Sequence, residues 1–81
     1  MLTLLGKPDC GLCREMRELA LRVLPEFDGT LVERDVRSDP ESEARYLLEI
    51  PVLFHDGTEI ARHRVSEAAL RQRLAELTGR S

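Results

Sequence analysis

The stretch Cys10-Gly11-Leu12-Cys13 constrains this chain more than any other. It holds both cysteines of the sequence, three positions apart. A short apolar run, Met1 to Leu5, precedes it, and an amphipathic segment, Cys13 to Leu24, follows. A Cys pair of this spacing where a strand hands over to a helix is the layout of a thiol–disulfide redox site. The physical reason lies in the helix end. A thiolate is a good nucleophile and a thiol a poor one. The first turn of a helix offers unpaired N–H groups and a partial positive charge, which favour the thiolate. A second cysteine one turn later shares that face and lies within reach of a disulfide. Cys10 is therefore assigned as the attacking thiolate and Cys13 as the resolving thiol. Lys7 favours the thiolate and Asp9 opposes it. Gly11 gives the turn room, and Leu12 places an apolar surface beside the sulfur.

Composition narrows the class further. Eighty-one residues make one domain, 1–81, near the lower size for a self-sufficient core. The 42% hydrophobic and 33% charged content fits a soluble globular protein. Net charge is −3, and both signs are spread along the chain, with no basic stripe for nucleic acid. Three aromatics, Phe27, Tyr46 and Phe54, are too few to stack bases. No apolar run approaches the roughly 20 residues of a membrane span. The first strand begins near Leu2 and leaves no room for a signal peptide, so the expected location is the cytoplasm. In that compartment a Cys pair is catalytic or metal-binding rather than a structural staple. No nucleic-acid or membrane partner is expected, and the chain is expected to be a monomer.

Leu2 to Leu5 reads as a buried strand, and Gly6-Lys7-Pro8-Asp9 as the loop before the Cys pair. Asp9 is expected to cap a helix running from about Gly11 to Leu24. There Leu12, Met16, Leu19, Ala20 and Val23 form one apolar stripe, and Pro25 ends the helix. Thr30 to Val36 reads as a second strand. Asp39 suits a helix N-cap and Pro40 the first helical position. That short helix, about Glu41 to Leu48, is expected to turn Ala44, Leu47 and Leu48 inward. Tyr46 is expected to be half-buried. Pro51 heads a third strand, and Asp56-Gly57 is the preferred pair for a two-residue hairpin. Glu59 to Arg64 is the returning strand, with edge-like polarity. Ser66 caps a final helix, whose Leu70, Leu74 and Leu77 face the core and which Gly79 ends. The order is β-α-β-α-β-β-α: an α/β fold with a four-stranded mixed sheet and helices on both faces. Its first half is a parallel βαβ unit.

This pattern resembles the thioredoxin-like fold in its minimal, glutaredoxin-like form, over nearly the whole chain. Three features carry the resemblance: Cys10-Gly11-Leu12-Cys13 after strand one, Ile50-Pro51 at strand three, and the Asp56-Gly57 hairpin before the last helix. The Cys-x-Leu-Cys form and the length look most like a group of short bacterial glutaredoxin-like proteins. The resemblance implies a thiol–disulfide oxidoreductase acting on disulfide-bearing proteins or small-molecule thiol substrates. It implies no bound cofactor and a thiol donor, either glutathione or a thioredoxin-type protein with its dithiol. It makes Pro51 a cis-proline lying against the Cys pair, with the Ile50 backbone bonding an extended substrate. Lys7, Gly11 and Leu12 complete the implied substrate contacts. Three places depart from the usual glutaredoxin pattern. Glu49-Ile50-Pro51 stands for Thr-Val-Pro, and Gly11-Leu12 for Pro-Tyr. Arg64-Val65-Ser66-Glu67 replaces a Gly-Gly acidic stretch that binds the charged end of glutathione. The choice between the two donors therefore stays open.

Two other readings remain at this stage. A thioredoxin-like adaptor would keep the fold while its disulfide never turns over. A metal site could join the cysteines to His55 and His63, but seven residues separate the histidines, outside the usual zinc spacing. Each histidine reads more simply as a solvent-facing strand residue.

Overall fold

The structure is a computed structural model that describes Met1–Gly79. Its elements run β1 (Leu2–Gly6), α1 (Gly11–Val23), β2 (Leu31–Asp35), α2 (Pro40–Tyr46), β3 (Val52–His55), β4 (Thr58–Arg62) and α3 (Glu67–Thr78). Single 3-10 turns, Leu24–Phe27 and Val36–Ser38, follow α1 and β2. The four strands form one sheet in the order β2-β1-β3-β4. β1 pairs with β2 in parallel and with β3 antiparallel, and β3 pairs antiparallel with β4. This is the expected α/β architecture, with β2 and β4 at the edges.

Alternation along the strands divides the core between two faces. Leu2, Leu4, Leu53, Ile60 and Ala61 face α1 and α3, where Met16, Leu19, Ala20, Val23, Leu70 and Leu74 cover them. Leu5 and Val52 face the other way, with Val36, and Tyr46 and Leu47 pack over them. Tyr46 meets Phe54 edge-on, with ring centroids 5.7 Å apart. Among the described residues no polar or charged side chain is buried. The thirteen residues of α1 and twelve of α3 close the first face fully. The seven-residue α2 covers only part of the second.

Local chemistry explains most boundaries. Asp39 caps α2 by accepting from Ser42 N–H, with Pro40 in the first turn. Ser66 caps α3 by accepting from Ala69 N–H, and Gly79 ends it in left-handed geometry. Asp56 and Gly57 both have positive φ, 46° and 89°, as a two-residue hairpin turn requires.

Several expectations need correction. Asp9 does not cap α1. The helix begins at Gly11, so the flanking position falls to Cys10, and Asp9 sits one residue earlier with φ +62°. α1 does end just before Pro25, at Val23, although the chain coils on for one 3-10 turn. Pro25 sits in the first turn of the 3-10 segment, where its missing N–H is not needed. β2 ends at Asp35, and Val36 leaves the sheet to become fully buried in the next turn. α2 stops at Tyr46, two residues early. Ala44 is exposed and Leu48 is 89% exposed, so of the expected trio only Leu47 packs inward. β4 stops at Arg62, which leaves His63 and Arg64 outside the sheet. Leu77 is on the outer side of α3, at 45% exposure.

These placements predict a sharp contrast. Leu53→Ala opens a cavity in the fully buried centre of the sheet and should cost about 2–5 kcal/mol of folding stability. Leu48→Ala should stay within about 0.5 kcal/mol. Urea denaturation of both variants against the parent protein measures the difference.

Candidate active site

The site is built on the handover from β1 to α1. Gly11 opens α1, so Cys10 occupies the N-cap. Its Sγ accepts the Cys13 N–H at 3.2 Å, and its carbonyl accepts the Arg14 N–H at 3.1 Å. The cysteine sulfur thus does what a serine or aspartate oxygen does at other helix starts. Cys13 stands one turn on. It belongs to the buried stripe that continues through Met16, Ala20 and Val23. Cys10 and Cys13 are joined as a disulfide, with Cα atoms 5.2 Å apart, inside the usual span for such a bond.

The two sulfurs differ in access. Cys10 is half-buried, while Cys13 is only 7% exposed. Gly6, at the end of β1, makes this possible. A Cβ on residue 6 would lie 3.0 Å from Cys13 Sγ and 3.2 Å from its Cβ. The absence of a side chain lets Cys13 press against the strand. By sequence Gly6 reads only as a loop residue. Its signal was a glycine at the point where a strand meets the helix that carries the cysteines.

Both cysteines open onto a cleft of about 610 Å³ between α1 and the β2 edge. Lys7 and Arg34 line it, and Arg17 crosses it to Glu33 at 3.1 Å. At its lip Asp35 accepts two bonds from the Arg37 guanidinium, at 3.1 and 2.9 Å, and one from the Arg37 backbone N–H at 2.8 Å. Those bonds, aided by the charges of Arg37 and Lys7, hold the Asp35 carboxyl down at about 2. A second cleft, of about 360 Å³, begins at Leu12 and runs between α1 and the loop before α3, past His63 and Val65.

The other expected residues fall around this frame. Lys7 and Gly11 are exposed, and nothing lies within 4 Å of where a Gly11 Cβ would be. Leu12 is half-buried. Pro51 is buried and Ile50 half-buried, and the peptide bond between them is cis. The ladder of β1 with β3 ends at Leu5 opposite Val52. One step further along that register, Pro51 comes alongside Gly6, the residue against which Cys13 rests. Ile50 lies outside the ladder. The Pro51 carbonyl accepts the His63 N–H at 2.8 Å, and the His63 Nε2 is 2.6 Å from a Glu49 carboxylate oxygen.

The histidines do not join the cysteines. His55 pairs across β3 with Leu2, at the opposite end of β1 from Gly6, and most of its side chain is covered. His63 is exposed as expected, but it lies just past the end of β4 and bonds Glu49. Among the described residues no group of three or more His, Cys, Asp or Glu is arranged to hold a metal. Nor is any described helix long and apolar enough to cross a membrane.

A mixed sheet in this order, with a Cys-x-x-Cys disulfide at the N-terminus of α1, defines a protein of the thioredoxin-fold class. Residues 1–75 match the family described as Glutaredoxin-like domain (DUF836), and the chain belongs to that family. No curated protein matches the chain. Among solved structures it is similar to the Northeast Structural Genomics target protein XcR50 from X. campestris. That similarity has 27% identity and a TM-score of 0.80, over 94% of this chain and 97% of the other. Thioredoxin 1 from Thermosipho africanus TCF52B shares the fold at 18% identity and TM-score 0.66, over 94% and 91% of the two chains. So does a buckwheat glutaredoxin in complex with glutathione, at 18% identity and TM-score 0.62, over 96% and 76%. Glutaredoxin-like fold and adjacent cysteines together support a thiol redox function.

Two predictions come from this geometry. Gly6→Ala crowds a sulfur that is tied on both sides and cannot swing away. It should destabilise the oxidised protein by about 1–3 kcal/mol, whereas Gly11→Ala, with open space, should not destabilise it. Chemical denaturation under oxidising conditions separates the two. Asp35 supplies the pH dependence. Its folded-state value, about 2, lies below the ordinary 3.8, so its stabilisation is present above about 3.8 and lost as pH falls through about 2. Asp35→Asn should therefore flatten the loss of stability on acidification across that window, read as denaturation midpoints at pH 5 and pH 2.5.

Proposed function

We propose that this protein is a thiol–disulfide oxidoreductase whose working couple is Cys10/Cys13. The observation that carries the reading is the difference between the two sulfurs of one disulfide. Cys10 is half-open at the start of a helix, and Cys13 is almost wholly covered, packed against Gly6. In the reduced protein an incoming disulfide meets Cys10 first. The Cys10 thiolate attacks one substrate sulfur, the substrate S–S bond breaks, and one thiolate leaves and takes up a proton. A mixed disulfide then joins Cys10 to the remaining substrate sulfur. Cys13, deprotonated, attacks Cys10 Sγ and expels the second substrate thiolate. Two electrons have passed from the dithiol to the substrate, and the Cys10–Cys13 disulfide remains. A thiol donor reverses the sequence to reset the couple.

The exposed N–H groups at the head of α1 supply the electrostatic support. A sulfur anion at the N-cap faces the positive end of the helix and accepts the Cys13 N–H. Lys7 and the cleft beside the cysteines receive the flanking part of the substrate. Leu12 offers it an apolar contact, and Ile50, beside Pro51, offers it a backbone edge. The substrate is a disulfide-bearing protein or a small-molecule disulfide. The donor is glutathione, as the buckwheat complex suggests by analogy, or a thioredoxin-type protein. The protein works in the cytoplasm, as a monomer, with no resident cofactor.

Reduction of insulin disulfides with dithiothreitol as donor tests the reading. The parent protein should accelerate it, and Cys10→Ser should return the rate to background. Cys13→Ser should accumulate a mixed disulfide at Cys10, visible by mass spectrometry of the intact protein. An unaccelerated reaction with the parent protein, or full activity in Cys10→Ser, overturns the assignment.

A further inference from the structure

Residues 47–51 connect α2 to β3 without belonging to either. A tertiary contact with the end of β4 holds their second half. His63 bonds it twice: the backbone N–H donates to the Pro51 carbonyl at 2.8 Å, and the ring lies 2.6 Å from the Glu49 carboxylate. A carboxylate only accepts, so the ring Nε2–H donates. The two anchored residues bracket Ile50. Arg62 adds a weaker hold on Glu49 at 3.4 Å while it pairs with Glu59 at 2.6 and 2.7 Å.

The His63 backbone has φ +63°, a left-handed conformation that few side chains accept and that histidine adopts more readily than most. Stability does not account for the arrangement. The His63 and Glu49 side chains are 52% and 36% exposed, and pairs in such positions contribute little. Position accounts for it better. His63 also lines the cleft that starts at Leu12, between the two cysteines. The same residue therefore touches the segment carrying Ile50 and the wall of a cleft that Leu12 also lines.

We propose that His63 is a positioning residue: by tying Glu49 and Pro51 to the end of β4, it fixes the backbone edge at Ile50 for the polypeptide that flanks a substrate disulfide. This rests on the disulfide-exchange reading above and narrows its substrate class. An extended polypeptide reaches the Ile50 edge and gains from its being held in place. A disulfide with no chain around it does not reach that edge and gains nothing. The clamp therefore selects protein disulfides over small ones and leaves the sulfur chemistry alone.

The test compares insulin with bis(2-hydroxyethyl) disulfide as substrates. His63→Gly keeps the left-handed backbone and the N–H to Pro51 but removes the ring. Glu49→Ala removes the oxygen that accepts from the ring. Each should raise KM for insulin by about fivefold, with kcat within about twofold of the parent. Turnover of bis(2-hydroxyethyl) disulfide, the reduction potential of the Cys10–Cys13 couple and the melting temperature should not change. The double variant should be no worse than the worse single one, because both remove the same contact. The proposal fails if KM for insulin stays at the parent value in both single variants, or if both substrates lose efficiency equally. Should the parent protein reduce neither substrate, the exchange reading itself falls and this one with it.

Discussion

Helix α1 approaches the end of β1 so closely that the Cys13 sulfur rests where a side chain on residue 6 would begin. The rest of the site depends on that contact. It sinks Cys13 into the stripe that α1 buries against the sheet, so the second sulfur is part of the core. It also fixes the rotation of α1 about its own axis, which leaves Cys10 at the rim with the free end of the helix. The chemical inequality of two identical residues follows from one missing methyl group. Cys13 is thus a packing residue of the core as well as half of the disulfide, and its depth leaves it less accessible than Cys10.

Electrostatics plays a different part in this fold from packing. The described core contains no polar side chain, and the named ion pairs lie at the surface. Several of them join elements far apart in sequence: Arg17 to Glu33, Arg22 to Glu67, Arg71 to Glu26. Each contributes little alone, being screened by water and salt. Asp35 is the clearest case of a charge held in a defined geometry, because two side-chain bonds and one backbone bond converge on it. Its position at the lip of the cleft beside the cysteines puts that rigidity where a substrate would enter. Apolar burial holds the sheet and helices, and charge organises the rim.

Sequence patterning revealed the elements and the core of the longer ones because their periodicity is strong. The stripe Met16, Leu19, Ala20, Val23 and the caps Asp39 and Ser66 were legible from residue type and spacing. So were the cysteine pair and the turn at Asp56-Gly57. The errors cluster where a segment is short. In a seven-residue helix two turns cannot define a face, so Leu48 read as core, yet the helix ends before it. At the head of α1, Asp9 is the better capping residue by type, but the register of the strand-to-helix turn gave the position to Cys10. The role of Gly6 depends on a distance of 3.0 Å across two elements, and the His63–Glu49 contact spans fourteen positions. Neither leaves a local trace. A left-handed histidine is visible only once the chain is folded.

The site draws on four separate pieces of chain: Gly6, Cys10 to Cys13, Glu49 to Pro51, and His63. The topology collects them because β1 ends where β3 begins and where β4 ends, all at one side of the sheet. In open α/β sheets ligands bind outside the carboxyl ends of the parallel strands, and β1 and β2 both end here, at Gly6 and Asp35. The pieces are held by different forces. Gly6 and Cys13 are fixed by close packing within the main core. Glu49 and His63 are joined by a hydrogen bond at the surface, while Pro51 is itself buried and Ile50 packs on the smaller apolar cluster around Leu5, Val36 and Val52. Change in one set therefore need not disturb the other. Substitutions at the exposed Glu49–His63 contact can therefore change that surface while the packing of Cys13 against Gly6 stays as it is.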